Sequence, residues 1–160
     1  MFRRLLSFLA VLGKRPVASV PPAGNAQPQP VSAPRLLVVD DLPTNFVMIE
    51  KMLQSLGLGA TMVTSGSEAL AAMAAQPFDV VLTDCRMPGM TGYELARAIR
   101  GREPGARRTV IIGISANDSE ADIADCLASG MDDFLAKPAT ADALRRVLQK
   151  WFQDLKAPAQ

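Results

Sequence analysis

The sequence predicts an α/β fold: a doubly wound parallel sheet that is covered by helices on both faces. From residue 35 onward, short apolar runs alternate five times with segments whose apolar residues recur at helical spacing. Most of the runs are continuously apolar, without polar alternation, which is typical of strands buried on both faces of a parallel sheet. Such alternation predicts strand–helix units that are joined by right-handed crossovers.

The first strand and the first helix follow each other directly. Residues 36–39 are an aliphatic run that ends at Asp40 and Asp41, and Pro43 stands where the first turn of a helix tolerates its missing N–H. The helix is predicted to end at Gly57. Its predicted apolar stripe consists of Phe46, Ile49, Met52, Leu53 and Leu56.

The second and third helices begin at predicted caps. Residues 60–64 alternate apolar and polar side chains, as an exposed edge strand does. They lead into Ser65 and Glu68, whose spacing predicts a capping box at the start of the second helix. Thr91 and Glu94 repeat this spacing at the start of the third helix.

The third and fourth strands both end at a polar residue. Residues 78–83 are followed by Asp84 and then by a turn that contains Pro and Gly. Residues 109–114 form the fourth run, and Ser115 follows it. A helix that begins near Ser119 completes this unit.

The fifth unit combines a short strand with a strongly patterned helix. Residues 134–136 form the strand, and Lys137-Pro138 ends it. The last helix begins at about Thr140, and its predicted apolar face consists of Leu144, Val147, Leu148, Trp151 and Leu155. Together the units predict a flavodoxin-like (βα)5 domain with strand order 2-1-3-4-5, whose topological switch point lies between the first and third strands.

The composition limits the classes of function. Residues 1–34 hold four of the 17 basic side chains and none of the 16 acidic ones, so residues 35–160 have a net charge of −3. This slightly acidic body argues against nonspecific nucleic-acid binding. We interpret Cys85 and Cys126 as small buried or half-buried residues rather than redox groups. The chain lacks histidine, so a bound metal is expected to be a hard cation with oxygen ligands.

Residues 1–34 are expected to be a disordered extension with an amphipathic start. Residues 2–12 place apolar side chains at helical spacing, and residues 16–34 hold six of the 12 prolines, which is typical of a linker. Three interpretations of the amphipathic stretch remain open: an untethered segment, a helix that binds a membrane surface or a partner weakly, and a secretory signal. The domain itself is predicted to span residues 35–156, with a tail over 157–160, in the cytoplasm.

Polar residues at the ends of four predicted strands are expected to gather at one edge of the sheet. They are Asp40 and Asp41, Asp84, Ser115 and Lys137. In an open α/β sheet this edge forms the ligand crevice. Three crowded carboxylates repel one another unless a divalent cation lies among them, and oxygen ligands favour Mg²⁺. We expect Asp84 to be a nucleophile that accepts a phosphoryl group, whose oxygens Lys137 and Ser115 stabilise.

From about residue 35 to residue 155 the chain resembles the receiver domains of two-component response regulators. The resemblance rests on four motifs in order: Asp40-Asp41, Asp84-Cys85-Arg86-Met87-Pro88 with Gly92, Ile114-Ser115-Ala116, and Phe134-Leu135-Ala136-Lys137-Pro138. It implies that a phosphohistidine donor phosphorylates Asp84. It also implies that Asp40, Asp41 and Asp84 hold Mg²⁺ together with the backbone carbonyl of Arg86.

The same resemblance implies a conformational switch. Ser115 would move toward the phosphoryl group, and Phe134 would turn inward behind it. Ser115 stands where many members have Thr, so the hydroxyl is retained. The face formed by the fourth helix, the fifth strand and the last helix would carry the signal. The Lys137-Pro138 peptide bond is expected to be cis.

The motifs also indicate the partners. The Asp84 motif and Gly130-Met131-Asp132-Asp133 are similar to those of receivers attached to hybrid sensor histidine kinases. The expected partners are therefore a sensor histidine kinase, a histidine phosphotransfer domain, or both, together with an unknown downstream protein and without direct DNA binding. Since no output domain follows the last helix, we expect a switch that acts through a partner, or a receiver that is part of a larger chain.

Three other functions fit the sequence less well. The runner-up is a stand-alone CheY-like regulator that docks on a target protein instead of relaying phosphate. An aspartate-nucleophile phosphatase is a remote alternative, because it needs a second acid two positions after the nucleophile, where Arg86 stands. A flavin-binding module needs a Gly/Ser/Thr phosphate loop after the first strand, where Asp40 and Asp41 would repel the cofactor. We therefore expect a phosphorylation-controlled switch and not an enzyme.

Overall fold

The computed structural model of the chain describes residues 33–103, 108–116 and 119–152. The strands are β1 (Leu36–Val39), β2 (Ala60–Val63), β3 (Val80–Asp84), β4 (Val110–Ser115) and β5 (Asp133–Ala136). The helices are α1 (Pro43–Ser55), α2 (Gly66–Ala75), α3 (Gly92–Arg102), α4 (Glu120–Ala128) and α5 (Ala141–Trp151). None of these helices is both long enough and apolar enough to cross a bilayer. The predicted segment before residue 33, Leu155 and the predicted tail lie outside the described residues.

All strands pair in parallel, in the order β2-β1-β3-β4-β5, which confirms the predicted fold class. In these registers Val39 pairs with Thr83, and Asp84 pairs with Ile114. The strands therefore end at nearly the same level. Asp40 after β1, Asp84 at the end of β3 and Lys137 after β5 consequently meet along one edge of the sheet.

The central strands are continuous apolar runs because they are buried on both faces. In β1, Leu36 and Val38 pack in a core layer with α1 and α5, whereas Leu37 and Val39 pack in a second layer with α2, α3 and α4. Each fully buried aliphatic side chain contributes about 1.5–3 kcal/mol. The edge strand β2 is only half-buried, in agreement with its alternating sequence.

Helix α1 confirms the predicted stripe. Pro43 is its first residue, and Ile49 and Leu53 are buried. The other members of the stripe pack partly against the same core layer: Phe46, Met52 and Leu56. The chain leaves the helix through Gly57 at a φ of 70°, a left-handed conformation that glycine adopts without strain.

One of the two predicted capping boxes is complete. The Thr91 hydroxyl accepts the N–H of Glu94 at 3.2 Å, and the Glu94 carboxylate accepts the N–H of Thr91 at 2.9 Å. At the start of α2, Ser65 accepts the N–H of Glu68 as predicted, but the rest of that box is wrong. The Glu68 carboxylate instead accepts the N–H of Thr64 at 2.8 Å, because the Thr64 hydroxyl offers it a second hydrogen bond.

The last helix confirms its predicted start but not its whole apolar face. Thr140 caps α5, and Leu144 and Leu148 are buried. Trp151, in contrast, is 38% exposed, and its indole N–H donates to the Asp133 carboxylate at 3.2 Å. Helical spacing treats Trp151 as purely apolar, whereas its indole nitrogen requires a polar partner or water.

Candidate functional site

Asp40 follows β1 and is 1% exposed. Its Oδ1 accepts the backbone N–H of Leu42, and both of its oxygens accept from Nδ2 of Asn45, each at 2.9 Å. Sequence reasoning missed Asn45. A signal was present, because helical side chains tilt toward the N-terminus, and Asn45 lies in the first turn of a helix that starts just after the strand end.

Asp84 is the last residue of β3 and is 8% exposed. Its Oδ1 accepts the N–H of Arg86 at 2.9 Å, and its Oδ2 forms an ion pair with Nζ of Lys137. The following loop folds back tightly, since the N–H of Gly92 donates to the carbonyl of Cys85 at 3.1 Å. A side chain at Gly92 would overlap with the backbone oxygen of Asp84, so glycine is required there.

Lys137 connects the ends of three strands. It follows β5, forms the expected cis peptide bond with Pro138, and places Nζ 3.4 Å from Oδ2 of Asp40 in addition to its pair with Asp84. Burial lowers the pKa of Lys137, but the hydrogen bonds and negative charges of Asp84 and Asp40 outweigh it and raise the pKa above its ordinary value. Lys137 is therefore a cation at neutral pH.

The carboxylates form a set of oxygens that fits a hard cation. One oxygen from each of Asp40, Asp41 and Asp84 lies within 4.8 Å of the others. Asp40 and Asp84 are buried, whereas Asp41 is half-buried and leaves one side open to water. Mg²⁺ prefers oxygen ligands and retains several waters. The residues present at this edge thus match the predicted ligand type.

Ser115 and Phe134 occupy the neighbouring strands. Ser115 is the last residue of β4 and is 2% exposed, on the strand that pairs with β3. Phe134 lies on β5 opposite Gly113 and is half-buried against the α2–α4 core layer. The structure thus brings Asp40, Asp41, Asp84 and Lys137 together, sets Ser115 beside them, and leaves Phe134 three residues before Lys137.

Directly behind Asp84 lies a pair of thiols. Cys85 and Cys126 are both free and buried, with 3.6 Å between their Sγ atoms. Burial and the neighbouring Cys126 raise the pKa of Cys85 to about 12, and burial also raises the pKa of Cys126. Both groups are therefore neutral thiols at physiological pH. The interpretation of both cysteines as small buried residues agrees with this packing.

An apolar cleft of about 340 Å³ lies next to the carboxylates, between α1 and the turn after β5. Met48 and Ile49 line it on the α1 side. Three large apolar side chains at the start of α1 are exposed to solvent, and the last of them lines this cleft: Leu42 at 54%, Val47 at 56% and Met48 at 43%. Exposed apolar side chains that form a contiguous patch commonly mark protein–protein contact sites.

Comparison with known proteins assigns this arrangement to a family. The family model described as "Response regulator receiver domain" matches residues 36–149. The chain belongs to this family, whose members act as phosphorylation-controlled switches in two-component and phosphorelay systems.

Its relatives include receivers within hybrid sensor kinases. The virulence sensor protein BvgS of Bordetella bronchiseptica is 44% identical over 140 residues, a match that covers 82% of this chain and 11% of BvgS. The sensor histidine kinase GacS of Pseudomonas protegens is 39% identical over 121 residues, covering 74% of this chain and 13% of GacS. The chain thus spans about a tenth of the length of these curated relatives.

Solved structures give the same assignment. The receiver domain of sensor histidine kinase PA1611 from Pseudomonas aeruginosa, described with a magnesium ion in its active site cleft, is 41% identical with a TM-score of 0.69. That match covers 77% of this chain and 100% of the PA1611 domain. The chemotaxis protein CheY4 of Vibrio cholerae is 30% identical with a TM-score of 0.68, covering 74% of this chain and 98% of CheY4.

Proposed function

We propose that Asp84 accepts a phosphoryl group from a phosphohistidine donor in an Mg²⁺-dependent reaction and that this modification switches partner binding. The observation that carries the proposal is the cluster at the sheet edge, where Asp84 is ion-paired with Lys137 and lies within 4.8 Å of the ligand oxygens of Asp40 and Asp41. A nucleophilic carboxylate, a fixed cation and a cation-binding oxygen set are the parts that phosphoryl transfer requires.

The chemistry follows from these positions. A carboxylate oxygen of Asp84 attacks the phosphorus of the donor, the P–N bond breaks, and its electron pair goes to the imidazole nitrogen. The product is an acyl phosphate on Asp84. Lys137 neutralises charge on the transferred group, and Ser115, at the end of the adjacent strand, donates its hydroxyl to a phosphoryl oxygen. When bound by Asp40, Asp41, Asp84 and the carbonyl of Arg86, Mg²⁺ supplies neutralisation of phosphoryl charge.

The switch that we propose runs from Ser115 to Phe134. A phosphoryl group adds about 1.5 to 2 negative charges, so a hydrogen bond from the Ser115 hydroxyl to it stabilises the state in which Ser115 has moved toward it. Phe134, half-buried on the neighbouring strand, then packs more deeply behind β4. The phosphoryl group biases an existing equilibrium, because a ligand shifts two states only by its differential affinity for them. We infer that the partner recognises this conformational change on the surface formed by α4, β5 and α5.

The proposed donor is the phosphohistidine of a sensor kinase or a histidine phosphotransfer domain, because the sequence relatives are hybrid kinases. The exposed apolar side chains Leu42, Val47 and Met48 support a docking face for it beside Asp84. A donor that packs an apolar helix face here would exclude water from the reacting atoms. The downstream partner would then recognise the phosphorylated form.

The test is phosphorylation by acetyl phosphate, followed by intact-mass spectrometry. Wild type with Mg²⁺ should gain one phosphoryl group, and removal of Mg²⁺ by EDTA should abolish the gain. Asp84→Asn should show no gain, since an amide of the same shape is a poor nucleophile. Asp142→Asn is the matched control, because that carboxylate is 77% exposed and pairs with Arg145 of its own helix, and it should behave as wild type. Undiminished phosphorylation of Asp84→Asn would reject the proposal.

A further inference from the structure

Arg86 links the candidate phosphoacceptor to a different element. Its main-chain N–H donates to Oδ1 of Asp84 at 2.9 Å, so its backbone is fixed to that carboxylate. Its guanidinium reaches α4, where Nη2 lies 3.2 Å from Oδ1 of Asp122. The Arg86 side chain therefore pivots from a point held at Asp84 while its charged end is held by another carboxylate.

The two ends of this ion pair are anchored very differently. Asp122 is in the first turn of α4, its side chain is 13% exposed, and its second oxygen accepts from the hydroxyl of the N-cap Ser119. The Arg86 side chain is 69% exposed. Ion pairs with one partner in water are weak and exchange readily. Asp122 is thus the fixed member of the pair, and Arg86 is the member that is free to leave.

We propose that Arg86 exchanges partners when Asp84 is phosphorylated, leaving Asp122 and binding the phosphoryl oxygens. This inference rests on the proposed function of Asp84. A phosphoryl group carries more charge than Asp122 and offers a guanidinium several acceptor oxygens in a favourable geometry. Asp122 then acts as a competitor that lowers the stability of the phosphorylated state, and the exchange releases α4 from the loop after β3.

This exchange couples α4 to the site by linkage. Any change that weakens the Arg86–Asp122 pair favours the phosphorylated form, and phosphorylation weakens the pair to the same extent, because coupling between two equilibria is reciprocal. The coupling is regulatory, since Asp122 does not touch the reacting atoms. A partner that binds α4 and engages Asp122 would prolong the phosphorylated state.

The test measures the affinity of beryllofluoride, a phosphoryl mimic, in Mg²⁺ buffer by calorimetry. Arg86→Ala should weaken beryllofluoride binding and Asp122→Asn should strengthen it, each by about fivefold, near the lower end of measured couplings. Arg86→Lys should restore part of the lost affinity. In the Arg86→Ala background, Asp122→Asn should have no further effect, because the competition requires both side chains.

Asp125→Asn is the matched control. Asp125 lies one turn further along α4, and the ion pair of Arg86 is formed with Asp122 instead. The Asp125→Asn substitution therefore removes the same charge without breaking that pair. It should change beryllofluoride affinity by less than about twofold. An equal gain in Asp122→Asn and Asp125→Asn, or an Asp122→Asn gain that persists in the Arg86→Ala background, would overturn the exchange. Failure of wild type to bind beryllofluoride would instead overturn the proposed function itself.

Discussion

At the scale of single residues, the site combines groups that repel one another with groups that hold them. Asp40 is surrounded by donors from Leu42 and Asn45, and Lys137 lies between Asp40 and Asp84. Asp41 is half-buried, so it is the most exposed of the three acidic residues. We therefore expect the cation to depend most visibly on Asp41.

Asp41→Ala should weaken Mg²⁺ binding by at least about tenfold, because the substitution removes one of the three carboxylates that form the site. Isothermal titration of Mg²⁺ into both proteins measures this. Thermal unfolding without Mg²⁺ should be unchanged or slightly improved in the variant, since like charges then repel less. Equal Mg²⁺ affinity of the two proteins would show that the ion binds elsewhere.

Cys85 follows Asp84 directly, and yet it should be inert. A thiol-reactive dye at pH 7.5 should label Cys85 and Cys126 only after unfolding, since the thiolate is the nucleophile and the pKa of Cys85 lies at about 12. Rapid labelling of the folded protein would contradict this packing.

The raised pKa of Cys85 also makes the free energy of unfolding depend on pH. The folded pKa of Cys85, about 12, exceeds the unfolded value of 9.0, so the unfolded state loses its proton first. The contribution of Cys85 is complete below pH 9 and is lost as the pH rises from 9 toward 12, with a slope of at most about 1.4 kcal/mol per pH unit. Urea unfolding at pH 8 and pH 10 should show this loss in wild type and a smaller loss in Cys85→Ala.

At the scale of elements, the segment between α4 and β5 shows how a short motif fixes a strand. Gly130 has a φ of 96°, and Met131 fills the space that Gly113 leaves on β4. Asp132 then accepts from Arg100 of α3 at 2.6 Å and from the N–H of Ile111 at 2.8 Å. One side chain thus ties α3, β4 and the start of β5 together.

Asp132→Ala should destabilise the protein by about 3 kcal/mol, because it breaks a part-buried ion pair and removes the acceptor of the Ile111 N–H. Arg100 then keeps Glu103 as its carboxylate partner. The Asp132 side chain is 5% exposed and that of Arg100 is 18% exposed, so water replaces the lost contact poorly. Urea unfolding provides the measurement. Asp142→Ala, an exposed ion-paired carboxylate, should stay within about 0.5 kcal/mol of wild type and serves as the control. A similarly small effect of Asp132→Ala would show that the contacts of Asp132 contribute little to the free energy of unfolding.

The elements were predictable from the sequence to different depths. Every strand and helix of the described residues was expected, since apolar runs and helical spacing are local signals, and the sheet order was that of a doubly wound, flavodoxin-like domain. The contacts of Asn45, of Arg86 with Asp122 and of Arg100 with Asp132 were not expected. The two arginine contacts join distant elements, and a side chain's partner across a fold leaves no periodic trace in the sequence. The Asn45 contact is local, and its position in the first turn of α1 was a usable signal.

At the scale of the whole domain, the site lies at the carboxyl ends of the strands, whereas the proposed signalling face is built around β5 at the edge of the sheet. The pairing of β4 with β5 joins the strand end of Ser115 to the strand that carries Phe134. Phe134 is half-buried, so both deeper and shallower packing are open to its ring. Under the proposed function, a charge change at Asp84 would be expressed at β5 through the packing of this ring.

Phe134→Ala should uncouple the response of α4, β5 and α5 from the binding of a phosphoryl mimic at Asp84. Beryllofluoride should alter hydrogen exchange in α4, β5 and α5 of wild type, and this change should fall by at least about half in the variant, while beryllofluoride affinity stays within about twofold. Leu127→Ala, which removes an exposed side chain from α4, is the control and should retain the full change. An undiminished change in Phe134→Ala would exclude its ring from the switch.

The proposed function is tested most directly by identifying the residue that carries the phosphoryl group. After reaction with acetyl phosphate and Mg²⁺, borohydride reduces an aspartyl phosphate to homoserine, and peptide mass mapping then identifies the residue. We predict conversion at Asp84 alone, with Asp40 and Asp41 recovered as aspartate from the same sample. Conversion at Asp40, at Asp41 or at an acidic residue outside the cluster would contradict the assignment of Asp84 as the phosphoacceptor.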